Sequence, residues 1–203
     1  MKKLILLLVM IGSFQSIQSQ EIYFTTGKNF TDYAFKTGSD SSNNLQSGIG
    51  AFYEMGYVVP LSYEKLNYAI GLSLNEYNAI GGDATNSYTW NTEYIGIQNT
   101  LFYSFFKNDG FDVAAKAGLG VATMLYGKQE INSAFYDLSS QKEFSGFFIQ
   151  PGLGFQAKYN LSGKGSLSLG YHFSKSFNLS NSTEEKLSFN THQIQFGIHF
   201  AIN

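Results

Sequence analysis

The chain has 203 residues, no cysteine and a formal net charge of −2, with 14% charged and 17% aromatic residues. The lack of cysteine excludes disulfide bonds and cysteine metal sites, and the low positive charge excludes the basic patches that nucleic-acid binding requires. The length is that of one ordinary domain, and the abundance of Gly, Tyr and Phe favours strands over helices.

The N-terminus has the pattern of a secretory signal peptide. Two lysines precede a short apolar run from Leu4 to Ile11, and a stretch of small and polar residues follows. The apolar run is too short to cross a bilayer, so we expect cleavage near Ser19 or Gln20 rather than a retained anchor. The chain is thereby divided into a signal peptide, residues 1–20, and a mature domain, residues 21–203.

Eight segments of alternating apolar and polar residues predict eight β-strands. Most reach or exceed the length of a tilted strand that crosses a bilayer. In chain order the predicted strands are Ile22–Gly27 or longer, Gly48–Val59, Lys65–Tyr77, Glu93–Phe106, Phe111–Tyr126, Ser145–Tyr159, Ser166–Phe177 and Ser188–Ile202.

The connections between these strands alternate between long and short. The long connections are rich in Gly, Ser, Asn, Asp and Thr, and cover residues 28–47, 78–92, 127–144 and 178–187. The short connections cover residues 60–64, 108–110 and 161–163. This alternation is typical of an outer-membrane barrel, in which short turns face the periplasm and long loops face outwards.

Two of the short connections predict a strand register. A three-residue loop at 108–110, with Gly110 in the left-handed conformation, pairs Phe105 with Val113. The same geometry at the later turn pairs Phe155 with Leu169. Both registers collect the apolar residues of the paired strands on one face, and a slip of one residue would mix the faces.

The last predicted strand indicates which face is outside. One face carries only Ile and Phe between Ile194 and Ile202, whereas the other carries Gln, Gly, His and Ala. A soluble, lipocalin-like barrel would expose the second face, which is too poor in charge to be a good solubilising surface. We therefore expect the apolar face to contact lipid and the Gly- and Gln-rich face to fill a narrow lumen.

With its signal peptide and this rhythm of strands and loops, the whole mature chain resembles the small outer-membrane β-barrel family of Gram-negative bacteria, which includes PorT-like and OmpX-like proteins. The resemblance implies an all-β fold. We expect an eight-stranded antiparallel up-and-down transmembrane β-barrel with short periplasmic turns and long extracellular loops, located in the cell outer membrane.

Four charged side chains fall on the inward face: Glu54, Asp112, Lys116 and Lys158. Charges that face a narrow lumen should pair, so we expect a structural charge network. In it, Asp112 pairs with Lys158 near the periplasmic mouth, and Lys116 finds a polar or acidic partner such as Glu54. The alternative is a polar pathway for a small solute.

His172 and Ser174 lie on one face of the seventh predicted strand, and their spacing resembles the active strand of the PagL family of lipid A deacylases. That resemblance implies His172 as base and Ser174 as nucleophile, with Glu184 or Glu185 orienting the histidine. However, Lys175 stands where that family has Asn, and strand alternation points both side chains inwards. We therefore expect no enzymatic activity, with lipid A hydrolysis as an alternative.

The remaining patterns predict packing rather than chemistry. His172, His192 and His199 lack convergent metal-ligand spacing, so no metal or other cofactor is expected. The pairs Gly118/Gly120 and Gly152/Gly154 lie inside strands, where they should make room in the lumen.

The expected function is a structural or interaction role through the extracellular loops or the barrel rim. Its expected partners are outer-membrane lipid and an unidentified protein of the cell envelope, and a nucleic acid is not expected. A channel for a small solute or a lipid is the alternative, although eight strands leave little open space.

Overall fold

The computed structural model describes residues 20–37, 40–42, 45–61, 63, 65–82, 87–161, 164–179 and 185–202. Residues 1–19 of the predicted signal peptide lie outside this part of the chain. The described residues form eleven β-strands. In chain order these are β1 (Gln20–Thr37), β2 (Asp40–Ser42), β3 (Leu45–Pro60), β4 (Leu66–Glu76), β5 (Ala79–Gly82), β6 (Ser87–Lys107), β7 (Phe111–Ile131), β8 (Ala134–Asp137), β9 (Phe147–Asn160), β10 (Gly165–Asn178) and β11 (Glu185–Ile202).

The eight long strands form a closed antiparallel ring in the order β1, β3, β4, β6, β7, β9, β10 and β11. The ring closes because β1 pairs with β11 along its whole length, from Gln20 with Ile202 to Thr37 with Glu185. Closure leaves no unpaired edge in the ring, which is how an up-and-down barrel satisfies its backbone. The predicted eight-stranded antiparallel fold is confirmed. Among the described residues, no helix is long and apolar enough to cross a membrane.

The two ends of the barrel differ. Both ends of the described chain and the three short connections lie at one end, here called the turn end. The long connections lie at the opposite end, here called the loop end. Several strands extend further towards the loop end than predicted: β1 continues to Thr37, β7 continues to Ile131 and β11 begins at Glu185.

The inside and outside of the strands exchange character near the loop end, as β11 shows. Beyond His192, the inward Leu187 and Phe189 are apolar and 2% and 1% exposed, whereas the outward Ser188 and Asn190 are polar. Between His192 and the turn end, the outward residues are apolar and exposed: Ile194, Phe196, Phe200 and Ile202. The part of the strand nearer the loop end therefore has the pattern of a soluble barrel, and the part nearer the turn end has that of a membrane barrel. A prediction that assumes one alternation pattern along the whole strand ends the strand too early.

The register predicted at residues 108–110 is wrong by one position next to the turn and correct farther along the strands. The loop has two residues, because the Asn108 amide donates to the Phe111 carbonyl oxygen at 2.8 Å. Phe106, rather than Phe105, pairs with Val113, and a bulge at Phe105 restores the predicted register from Ser104–Ala114 onwards. The positive-φ glycines of the described chain are Gly82 and Gly146, so the left-handed conformation predicted at residue 110 is also wrong.

The register predicted at the later turn is wrong by two positions. Phe155 pairs with Tyr171 instead of Leu169. The turn is longer than expected, because the Leu161 amide donates to the Gly165 carbonyl oxygen at 2.9 Å and the connection includes residue 164. An even shift preserves which face each residue occupies, so the predicted faces are unaffected.

The predicted loop 127–144 contains a hairpin. Strand β7 turns at Asn132 and Ser133, whose φ angles are 48° and 67°, and β8 returns beside it. Two successive positive φ angles are the geometry of a type I′ turn, which matches the twist of the strands it joins.

Candidate functional site

The barrel interior is closed at the loop end by an apolar cluster, here called the aromatic plug. Phe189 is central to it, with its ring centroid 4.6 Å from that of Tyr77 and 5.0 Å from that of Tyr33. Leu138 and Phe144, from the connection after β8, fold into the mouth and are 3% and 4% exposed. The plug consists of Tyr33, Tyr77, Ala79, Trp90, Tyr94, Ala122, Leu138, Phe144, Phe148, Leu187 and Phe189.

The plug and the layer below it are joined by hydrogen bonds. The Tyr33 hydroxyl donates to the Tyr77 carbonyl oxygen at 2.9 Å. The Gln150 amide nitrogen lies 3.2 Å from the Tyr77 hydroxyl and donates to it, and it also donates to Ser176 Oγ at 2.9 Å. Tyr33 and Tyr77 thus keep partners for their polar ends while their rings pack the apolar layer, whereas the buried hydroxyl of Tyr94 has no hydrogen-bond partner among the described residues.

Below the plug, a polar layer fills the barrel at the level of the apolar outer belt. Lys116 Nζ donates to Gln195 Oε1, Gln195 donates to Gln193 at 2.9 Å, and Gln193 donates to Asn75 at 3.0 Å. The cavity left in this layer is about 40 Å³. That volume holds a few water molecules at most.

Glu54 and Lys116 line this same cavity, as predicted from their inward positions. Glu54 accepts a hydrogen bond from the Tyr23 hydroxyl, and Lys116 has Gln195 as its partner. Among the described residues, Glu54 and Lys116 are not within ion-pair distance of each other. The polar partner expected for Lys116 is therefore Gln195 rather than Glu54.

Glycines make the room that these side chains occupy. A Cβ added at Gly120 would lie 2.5 Å from the Gln98 amide, and one at Gly152 would lie 2.7 Å from His172 Cε1. A Cβ at Gly154 would meet the Tyr171 carbonyl oxygen of the neighbouring strand first, and would lie 2.9 Å from Lys116 Cε. The prediction that the strand glycines make room in the lumen is confirmed.

The turn end holds a charged vestibule of about 270 Å³. Lys158 Nζ lies 2.9 Å and 3.1 Å from the two carboxylate oxygens of Glu21, and His199 Nδ1 lies 3.5 Å from Glu21 Oε2. Asp112 instead accepts a hydrogen bond from Ser104 Oγ at 3.1 Å. The predicted Asp112–Lys158 ion pair is therefore wrong, although the two are Cα partners in adjacent strands.

Sequence reasoning missed Glu21 because the first predicted strand began one residue later. The usable signal was alternation: Glu21 shares the inward parity of Tyr23, which is 5% exposed. Closure of the barrel between β1 and β11 then brings Glu21 across the lumen to Lys158. This contact cannot be predicted from the pairing of consecutive strands.

His172 and Ser174 both line the central cavity from β10. Glu184 lies outside the described residues, and Glu185 begins β11. The structure thus places both members of the His-x-Ser pair inside the barrel, enclosed by the polar layer.

The other two histidines lie on opposite sides of the wall. His199 faces inwards, 2.9 Å from Ser168 Oγ, whereas His192 faces outwards, with Nδ1 2.5 Å from the Tyr171 hydroxyl. Within the described part of the chain, no group of three or more His, Cys, Asp or Glu side chains is arranged to hold a metal ion.

Comparison with known proteins identifies the family. The family model of the outer membrane protein beta-barrel domain matches residues 4–200. No curated protein matches the chain significantly. The match covers nearly all of the 203 residues and includes every long strand of the ring, β11 as far as Phe200.

Solved structures agree on the fold. Neisserial surface protein A is 12% identical with a TM-score of 0.50, over 88% of this chain and 96% of that chain. A major outer membrane protein from Thermus thermophilus is 13% identical with a TM-score of 0.50, over 91% and 100%. The outer membrane protease OmpT from Escherichia coli is 6% identical with a TM-score of 0.50, over 92% and 98%. The chain belongs to the outer membrane protein beta-barrel domain family and is an all-β transmembrane protein of the outer membrane.

Proposed function

We propose that this protein is a non-conducting barrel of the PorT-like or OmpX-like kind, with a structural or interaction role exerted through its loop end or rim. The observation that carries the proposal is the sealed interior. The aromatic plug fills the loop end, and the polar layer beneath it leaves a cavity of only about 40 Å³. The vestibule at the turn end is therefore a blind pocket rather than the mouth of a channel.

The β7–β8 hairpin is the part of the loop end that best fits a contact role. Phe135 and Tyr136 are 57% and 54% exposed on β8, which follows the segment of β7 beyond the plug. Lys128 Nζ lies 3.3 Å from the Phe135 ring centroid, so the aromatic ring is held at the surface. Exposed aromatic side chains outside the membrane belt are typical of protein interaction surfaces.

A hydrogen-bonded turn fixes the end of this hairpin. The hydroxyl and the backbone amide of Ser139 donate to Asp137 Oδ1 at 2.6 Å and 2.8 Å. These hydrogen bonds hold the pKa of the Asp137 carboxyl below its usual value. The carboxylate therefore remains ionised at neutral pH, and the hairpin presents an acidic group beside its two aromatic rings.

The enclosed position of His172 and Ser174 supports a non-enzymatic role. A lipid acyl chain approaching from the membrane meets Leu169, Tyr171 and Phe173 on the outer face of β10, and a cavity of about 40 Å³ does not admit it. Lipid A mass spectra of cells with and without the protein should be identical. A loss of acyl chains that depends on Ser174 would favour the hydrolase instead.

Liposome swelling tests the sealed interior, and crosslinking tests the contact role. Proteoliposomes should swell in a monosaccharide no faster than protein-free liposomes, and faster swelling would favour a channel.

A photoreactive residue in place of Tyr136 should form protein adducts on intact cells. The matched control is Tyr63, which is 55% exposed at the turn end. Adducts at Tyr63 alone would contradict a contact role for the hairpin.

A further inference from the structure

We propose that the outer wall of β10, β11 and β1 binds the phosphate groups of an outer-leaflet lipid. The site, here called the basic wall, consists of Lys28, Lys175 and His192, with Tyr171 and Phe173 beside them. All five side chains point away from the lumen on three adjacent strands. This inference is independent of the non-conducting role proposed above.

The basic wall lies where the apolar belt ends. On β10 the outward residues Leu169, Tyr171 and Phe173 are followed by Lys175 and then by Phe177, and on β11 the apolar outward residues stop at His192. His192 is the Cα partner of both Phe173 and Phe30. Lys28 stands two residues nearer the turn end, beside Ile194, and Lys175 stands two residues nearer the loop end, beside Asn190. This boundary, on the loop side of the belt, is the depth at which lipid headgroups meet the protein.

The aromatic neighbours hold the His192 ring in place. Its centroid lies 5.0 Å from that of Phe173 and 6.0 Å from that of Tyr171. The Tyr171 hydroxyl is 2.5 Å from His192 Nδ1. When that hydroxyl donates, Nδ1 is the acceptor and Nε2 becomes the N–H donor of the ring, as an anionic phosphate oxygen requires.

The two lysines supply the positive charge. Both are exposed, and among the described residues no acidic side chain lies within ion-pair distance of either. Lys175 Nζ lies 5.3 Å from the Phe177 ring centroid, so its stem follows apolar surface while its charge reaches the headgroup level. The nearby acid on these strands is Asp32 of β1, which stands level with Lys175 and two strands away from it, because both are Cα partners of Asn190.

The opposite wall has the opposite charge. At the corresponding boundary, Glu76 of β4 and Glu93 of β6 are Cα partners on the outer face. Glu76 and Glu93 therefore lie across the barrel from the basic wall, although Lys128 shares their side and Asp32 shares that of the basic wall. An anion that is part of the surrounding bilayer fits the basic wall, because the wall is continuous with the lipid-facing belt.

The test compares binding of diphosphoryl lipid A and of the same lipid without phosphates to the full mature chain, by native mass spectrometry from detergent. Each lysine near an anionic lipid surface contributes about a fivefold gain in affinity, so the Lys28→Gln/Lys175→Gln variant should bind about 25-fold more weakly. The matched control is Lys65→Gln/Lys164→Gln, which removes two exposed lysines at the turn end. It should bind like the natural protein. A Tyr171→Phe variant should also weaken binding, because the ring of His192 loses its orienting hydroxyl.

Equal binding of the phosphate-free lipid would overturn the proposal, as would equal losses in the control and in the basic-wall variant. Millimolar inorganic phosphate should fail to displace the lipid. Full displacement would mean that a free anion, rather than a lipid, occupies the site, and would also overturn it.

Discussion

Lys158 and Glu21 form an ion pair across the turn end of the barrel, with Lys158 Nζ 2.9 Å from Glu21 Oε1. Glu21 is on β1 and Lys158 is on β9, which are not neighbours in the sheet. The contact therefore joins the first strand to the opposite wall through the lumen. Asp112 is the Cα partner of Lys158 but forms no ion pair with it, and its carboxylate accepts a hydrogen bond from Ser104 Oγ instead.

The first prediction concerns the energy of this pair. A double-mutant cycle of Glu21→Gln and Lys158→Met, measured by urea unfolding in liposomes, should give a coupling of about 1 to 3 kcal/mol. The side chains are 18% and 21% exposed, so the value should lie between that of an exposed pair and that of a buried one.

The matched control is the cycle of Asp112→Asn with Lys158→Met, which removes the same charge from the sheet neighbour. Its coupling should be smaller, about 0.2 to 1 kcal/mol, as for cross-strand neighbours of opposite charge that form no ion pair. A larger coupling for Asp112 than for Glu21 would restore the pairing that sequence reasoning predicted.

The second prediction concerns the aromatic plug. Phe189→Ala should destabilise the barrel by about 3 to 5 kcal/mol, because Phe189 is 1% exposed and contacts several rings of the plug. Phe135→Ala is the control, since Phe135 is 57% exposed, and it should cost less than about 1 kcal/mol. Similar costs for both, measured by urea unfolding, would mean that the plug does not stabilise the barrel.

Strand number, antiparallel order and the faces of the lower strands followed from the sequence, because one alternation and the turn residues agree there. The loop-end parts of the strands did not follow from the sequence, because the apolar residues change from the outward face to the inward face at positions such as His192. The inward positions of Glu54 and Lys116 were predictable, but their partners were not. Gln195 lies on β11, which only the closed barrel brings across the lumen to Lys116. Tyr23 lies on β1, the sheet neighbour of β3, two residues from Thr25, which is the Cα partner of Glu54.

The third prediction concerns the room-making glycines. Gly152→Ala should cost about 1 to 3 kcal/mol, because the new methyl group would overlap the ring of His172. Gly165→Ala is the control, since nothing lies within 4 Å of a Cβ built there. Adding His172→Ala to Gly152→Ala should recover part of the loss in urea unfolding. If the double mutant recovers no stability, the new methyl group clashes with backbone atoms rather than with the ring of His172.

The fourth prediction concerns orientation. The chain has no cysteine, so single cysteines can be labelled without background. On intact cells a membrane-impermeant maleimide should label Ser133→Cys in the β7–β8 turn and should not label Asp109→Cys at the turn end. Labelling at residue 109 alone would invert the barrel in the membrane.

The most direct measurement of a sealed barrel is single-channel conductance in planar bilayers. The refolded mature protein should give no stepwise current above the bare bilayer, because the plug and the filled polar layer block the lumen along its length. Folding in the same preparation is established by its heat-modifiable migration on gels. Reproducible steps from folded protein, lost when the lumen is narrowed further by Gly120→Leu, would contradict the sealed interior and establish a channel.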